Sequence, residues 1–262
     1  MGHSRVGVEL IAPRASIALQ ASAFLHVRGR FAGGLYLEGS SGILALTTGR
    51  IALTPISARV ASDSALPDLP PGEHVSADLF DLSTTRVWSP RPDWAAFDAM
   101  AFGASADEGR SVAGARLRHE APAVLAAAET GWLPEALLGL GPGLTPAGDD
   151  VLVGRLLAWH AGLVSVGGPT AAIHHLLVNA ENRTNRLSLA FLRAAAAGEC
   201  GQPWHDLWPA LGPGSRSRAE AIRVILGTGQ TSGAAAFWGF LTAGEAATND
   251  ASKRHDPGFS NR

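Results

Sequence analysis

GLGPGLTPAGDDVLVG, residues 139–154, joins a glycine loop to an apolar run in a way that core packing does not account for. Four glycines and two prolines fall within Gly139–Gly148, and Asp149 and Asp150 follow directly. Glycine at that density lets the backbone take positive φ and pass close to a ligand. Thr145 before Pro146 reads as a helix N-cap with proline at the first helical position. The loop therefore leads backbone N–H groups into a helix start, where the dipole favours anions. Two carboxylates in the first turns would repel a bare phosphate. A divalent cation, with Mg²⁺ the natural choice, or an N–H donor on the ligand is expected to accompany any anion there.

Outward from this stretch the chain changes character on either side of residue 90. From Asp93 onward alanine, leucine and helical spacing predict helices over 93–102, 106–129, 146–165, 169–182, 184–198, 215–227 and 232–244. Within the fifth, Leu187, Phe191 and Ala194 share one face, and Gly198 reads as its C-cap. Before residue 90 the pattern is short β-prone runs at 24–27, 35–37, 43–46 and 51–53, separated by glycine turns. Ser64–Gly72 holds three prolines and reads as a loop; 73–82 and 86–88 add strand candidates before Ser89–Pro92 ends the region. The expected fold is α+β. An N-terminal antiparallel β barrel or sandwich-like region (1–90) precedes a larger, mainly α-helical region (91–248) carrying the glycine loop, and 249–262 reads as a polar, flexible tail.

Composition narrows the partners. Apolar residues make up 46% and charged ones 17%, which excludes a disordered chain. A net charge of −2 argues against nucleic acid or a membrane surface held by charge. The single cysteine, Cys200, excludes an intramolecular disulfide framework, and residues 1–25 lack the pattern of a signal peptide. No apolar run approaches the roughly 20 residues that span a bilayer. The expectation is a cytoplasmic protein whose partner is a small anionic metabolite. Low charge in so apolar a chain also suggests a homo-oligomer.

A second segment, Gly227-Thr-Gly-Gln-Thr-Ser-Gly233, echoes the first. In both, a threonine precedes a glycine, and after five intervening residues comes another glycine, Gly154 or Gly239, well inside a helix. Glycine there costs roughly 1 kcal/mol against alanine, so close helix–helix or helix–ligand approach is the expected reason. We expect the two helix starts to face one another as two walls of one pocket. The plain alternative is coincidence in a chain with 31 glycines.

The loop at 139–150, then Thr184-Asn-Arg-Leu-Ser188 with Gly198 downstream, then Gly229-Gln-Thr-Ser-Gly233, resembles the family of the oxamate carbamoyltransferase subunit of anaerobic allantoin degradation. Most members of that family have no assigned activity. In the family an acidic residue often follows the second Ser-Gly; here Ala234, Ala235 and Ala236 stand there. The resemblance implies conversion of carbamoyl phosphate and oxamate to oxalurate and phosphate, carried out with other subunits.

Residue by residue, Asp149 and Asp150 are the catalytic candidates and the first metal-ligand candidates. Their plain reading is favourable charge at a helix N-terminus, worth roughly 0.3–1 kcal/mol each. Because neighbours on a helix point about 100° apart, one should face the pocket and the other support the loop. Gly141, Gly143, Leu144, Thr145, Gly148, Thr231, Ser232 and Gly233 are the substrate-binding candidates from the two loops, with a capping role as the alternative for the threonines. Arg183 and Arg186, at i, i+3 spacing near a helix start, are candidates to clamp a carboxylate. Ser188 reads first as a packed helical residue. His160, His174, His175 and His255 lack metal-motif spacing, Cys200 lacks a protease signature, and Trp204 with Trp208 reads as a helix-packing pair.

Three functions follow: a carbamoyltransferase-type enzyme subunit, a non-catalytic anion- or metabolite-binding subunit, and a metal-dependent hydrolase built on the aspartate pair. The last needs a third acidic ligand, for which Glu135, Glu181 and Glu245 are the nearest candidates.

Overall fold

In the computed structural model, residues 5–62, 64–97, 99–164, 169–207 and 218–254 are described. Trp208, residues 255–262 of the expected tail, His255 among them, and the first residues of the helix expected over 215–227 lie outside them, whereas 249–254 of that tail are helical. The chain forms two compact units, Met1–Pro92 with Glu199–Gln202, and Asp93–Gly198 with Pro203–Arg262.

The first unit is a curled sheet whose strands are β1 (Val6–Ile11), β2 (Phe24–Phe31), β3 (Gly34–Gly39), β4 (Gly42–Thr47), β5 (Ser57–Val60), β6 (His74–Ser76), β7 (Phe80–Asp81) and β8 (Arg86–Val87). They run in the order β6-β2-β3-β4-β5-β1-β7, with β8 also on β1. The hairpins β2–β3 and β3–β4 are antiparallel, as the glycine turns predict, whereas β4–β5, β1–β7 and β1–β8 are parallel, so the sheet is mixed. Bulges at Val27/Gly29 and Val8/Leu10 add local twist. Helix α1 (Pro13–Gln20) turns Ala15, Ala18 and Leu19 inward, onto a core that includes Leu25, Leu35, Leu37, Leu44 and Leu46. Inward-facing Val, Leu and Ile thus supply the hydrophobic driving force for this unit.

The second unit is helical: α2 (Ala99–Glu120), α3 (Pro122–Ala128), α4 (Ala147–His160), α5 (Pro169–Arg183), α6 (Arg186–Ala196), α7 (Gln202–His205), α8 (Arg218–Leu226) and α9 (Ser232–Arg254), of which α7 begins in the first unit. The single helix expected over 106–129 is two, because Pro122 cannot continue the helical hydrogen bonding and starts a new helix instead. The start expected at 93 is a 3-10 turn, Trp94–Ala96, with Asp93 as its cap.

Two buried helices, α4 and α9, make the centre of this unit. A Cβ on Gly154 would lie 1.8 Å from the Ala236 carbonyl oxygen, and one on Gly239 would lie 2.1 Å from that of Val151. The backbones touch here, and only glycine fits at both positions. Phe237 and Phe240 of α9 are fully buried, and Phe240 packs edge-on with Trp204 at 5.3 Å. This crossing fixes the two helix starts, and with them both glycine loops, in one place.

Candidate functional site

The loop before α4 begins at a 3-10 turn, Glu135–Leu137, and takes positive φ at Gly139, Gly141 and Gly143 (72°, 100° and 108°), a region that favours glycine. The N-cap of α4 is Pro146, one residue later than Thr145, and its carbonyl accepts the N–H groups of Asp149 (2.9 Å) and Asp150 (3.2 Å). The Gly148 N–H goes back to the Leu140 carbonyl at 2.8 Å. The helix-start amides expected to hold an anion are therefore used within the protein. Among the described residues, the amides of Gly141, Gly143 and Leu144 carry no hydrogen bond, and those residues are exposed.

The two aspartates point to different neighbours. Asp149, 1% exposed, accepts the Gly139 N–H at 2.9 Å through one oxygen and the Thr184 hydroxyl through the other. It closes the loop onto the segment between α5 and α6. Burial raises its carboxyl above the usual range, while Thr184, Gly139 and the nearby Ser188 pull it down. The Ser188 hydroxyl is itself buried, with no partner in hydrogen-bonding geometry among the described residues. Asp150 accepts from the Thr145 hydroxyl at 3.1 Å, and Thr145 Oγ1 lies 2.9 Å from Ser232 Oγ at the start of α9. Burial is the largest influence on Asp150 and the neighbouring Asp149 charge adds to it; together they push its carboxyl up to about 7, against the pull of the Ser232 and Thr145 hydroxyls.

Thr145 and Ser232 thus bring the two glycine segments into contact. Gly233 lies against the Ile225 carbonyl, Thr231 is buried, and the Thr231 carbonyl accepts the Ala235 N–H at 2.9 Å. Arg183 approaches Glu135 at 3.7 Å, a glutamate that also meets His175 (2.9 Å) and Asn179 (2.8 Å), while Arg186 is exposed at the start of α6. Glu181 and Glu245 pair with Arg193 and Arg110 instead. Among the described residues, no three His, Cys, Asp or Glu side chains gather as a metal site.

Sequence reading missed three supports. Thr184 holds Asp149, and Asn185 caps α6 while its side-chain amide donates to the Leu144 carbonyl at 2.9 Å. A threonine and asparagine just ahead of a helical run are capping residues, and that signal was available. Arg155 is 1% exposed and donates to the carbonyls of Ala128, Gly131 and Trp132, which fixes the approach to the loop from the side of α4. Burial lowers it to about 10. A lone arginine in the apolar run after Asp150 marks it in the sequence.

These contacts span three segments that the family motifs also join.

Residues 137–244 match the model of the oxamate carbamoyltransferase subunit AllH family.

The match supports the resemblance carried by the motifs. The matched segment opens at the 3-10 turn before the first loop and takes in the second loop and the first half of α9, so every residue that holds Asp149 and Asp150 lies inside it. Comparison with solved structures gave no match. No helix among the described residues is long and apolar enough to cross a membrane.

Proposed function

We propose that this chain is a carbamoyltransferase-associated subunit that binds a small anionic metabolite, of the oxamate or carbamoyl phosphate kind, where the 139–150 loop and the 227–233 turn meet. The observation that carries the reading is the chain Ser232–Thr145–Asp150, at 2.9 and 3.1 Å. It joins two glycine segments around a carboxyl that changes charge near neutral pH. Open amides at Gly141, Gly143 and Leu144 supply anion donors, and preorganised N–H groups of this kind are what a developing oxyanion in acyl transfer requires. Asp150 accepts an amide N–H of the ligand or, protonated, donates to it. Asp149 has both oxygens engaged and acts as a positioning residue for the loop. Arg183 is turned to Glu135 and is not placed to meet the ligand.

Magnesium would find few ligands here, since among the described residues no three His, Cys, Asp or Glu side chains gather. A purely binding role within a larger carbamoyltransferase assembly is the second reading. One observation favours it: Ala234 and Ala235, both fully buried, follow Gly233 and give the second half no titratable group.

The test is a thermal-shift series on the whole chain with oxamate, carbamoyl phosphate, oxalurate, phosphate and Mg²⁺, singly and together. Oxamate or carbamoyl phosphate should raise Tm by mass action in the native protein and fail to do so in a folded Ser232→Ala or Asp150→Ala variant. No shift from any of them contradicts the proposal. Turnover in the isolated chain selects the enzyme reading; binding that yields turnover only with partner subunits selects the assembly reading.

A further inference from the structure

The two ends of the curled sheet are neighbours in sequence. β6 and β7 stand at opposite ends of the strand order, and the 3-10 turn Ala77–Leu79 carries the chain directly from one to the other. Among the described residues no ladder joins β6 to β7. The sheet therefore curls almost into a barrel and leaves a seam at this turn. A cavity of about 250 Å³ opens there, lined by the turn, by β7 and by the end of α1. Mouths of barrels are favoured places for ligands, and clefts for drug-sized molecules run from roughly 300 to 1,000 Å³. This cavity is of a size for one small metabolite.

Its lining is part apolar and part charged. Leu19 and Phe80, both buried, and the half-buried Leu82 supply the apolar part. Ser22 is a fixed piece of wall, since its hydroxyl already donates to the Ala18 carbonyl at 2.8 Å and accepts the Ser40 N–H at 3.0 Å. Two opposite charges complete the lining, Arg5 just before β1 and Asp78 in the turn. Among the described residues neither side chain makes a hydrogen bond or an ion pair. The exposed Asp81 feels the Arg5 charge only weakly and is held first by Ser83. Opposite charges that share a cavity without pairing leave both sets of bonds to a third body. We infer that the seam is a small-molecule site of the sheet unit and that its ligand is an aliphatic α-amino acid, bound as the zwitterion. The Arg5 guanidinium takes the carboxylate, Asp78 accepts from the ammonium, and Leu19, Phe80 and Leu82 cover the side chain. A plain carboxylate satisfies Arg5 and is repelled by Asp78, and a plain amine meets the reverse, so the pair selects the molecule that carries both charges. Every one of these residues lies in the first unit, and the inference stands whether or not the glycine loops hold a ligand.

The experiment is calorimetry on the whole chain with valine, leucine and isoleucine, beside glycine and the analogues that lack one charged group (isocaproate and isopentylamine for leucine). The tightest of the three amino acids should be preferred at least about tenfold over its own analogues and over glycine. Arg5→Gln and Asp78→Asn should each weaken it about tenfold, and Asp78→Asn should in addition tighten the carboxylate analogue by removing the repulsion. Neither side chain holds the fold together, so both variants should keep the native Tm, and lost binding is then not lost folding. Amide exchange over residues 76–82 should slow with the bound amino acid in the native chain. Absence of binding by all three amino acids overturns the inference. So does a carboxylate analogue bound as tightly as its amino acid, or binding that both substitutions leave unmoved.

Discussion

Helix α4 and helix α9 enter their crossing alike, each with a first-turn glycine under a carbonyl of the preceding turn and a second glycine against the partner backbone. They part at the next two positions, where α4 has Asp149 and Asp150 and α9 has Ala234 and Ala235. The comparison separates two demands that a glycine-rich segment usually confounds. Close backbone approach explains the glycines in both halves. It does not explain a buried carboxyl pair in one of them, held by Thr184, the Gly139 N–H and Thr145. Burying a carboxylate is costly unless its oxygens are satisfied, and here two hydroxyls and a backbone N–H satisfy them.

The largest expected effect concerns what the halves share. Gly154→Ala and Gly239→Ala should each lower stability by roughly 3 kcal/mol or more in urea denaturation, since the new Cβ would overlap a carbonyl oxygen at 1.8 or 2.1 Å. Near-neutral results at both positions would break the backbone-contact account of the crossing.

The next effect concerns where they differ. Asp150 has a folded pKa of about 7, above the ordinary value of 3.8, so the native state holds the proton more tightly than the unfolded chain. Its contribution to stability is full below about pH 3.8 and is lost as pH rises through about 7. Asp149, also raised, adds in the same direction. Denaturation across this range should show native stability falling, relative to Asp150→Asn, by on the order of a few kcal/mol as pH rises. Parallel curves for the two proteins would remove the buried-carboxyl argument.

Asp149→Ala should cost about 1–3 kcal/mol, because it leaves the Gly139 N–H and the Thr184 hydroxyl without their acceptor. Thr184→Val should cost less than that and still loosen the loop, read as faster amide exchange over residues 139–145. At the small end, Gly29→Ala in the sheet unit meets nothing within 4 Å and should stay within about 0.5 kcal/mol of the native protein. That null sharpens the contrast with Gly154 and Gly239.

How much of this was legible in the sequence follows from range. The glycine hairpins of β2–β4 and the helical half announce themselves locally, through turns and apolar spacing. So did the glycines six residues past Gly148 and Gly233, whose cost inside a helix called for close approach, and that is where α4 and α9 touch. Strands β1 and β5 and helix α1 went unread. β1 and β5 are short and pair with each other across some fifty residues, with β5 also parallel to β4, so no turn marks them. At the site, the aspartates and both loops were visible because their composition is unusual. Thr184 was overlooked beside two arginines, since charge draws attention to an anion site while a hydroxyl reaching Asp149 depends on a fold contact 35 residues away. Pro146 displaced Thr145 as the cap because Thr145 is drawn instead to Asp150 and Ser232.

The central claim is that two glycine segments form one ligand site, and amide hydrogen exchange tests it most directly. Exchange should be followed over Gly139–Asp150 and Gly227–Gly233 in the native chain, with and without saturating oxamate or carbamoyl phosphate. The account predicts that one of these ligands slows exchange in both segments together, with the same concentration dependence. Protection confined to one segment, or to neither, would contradict it.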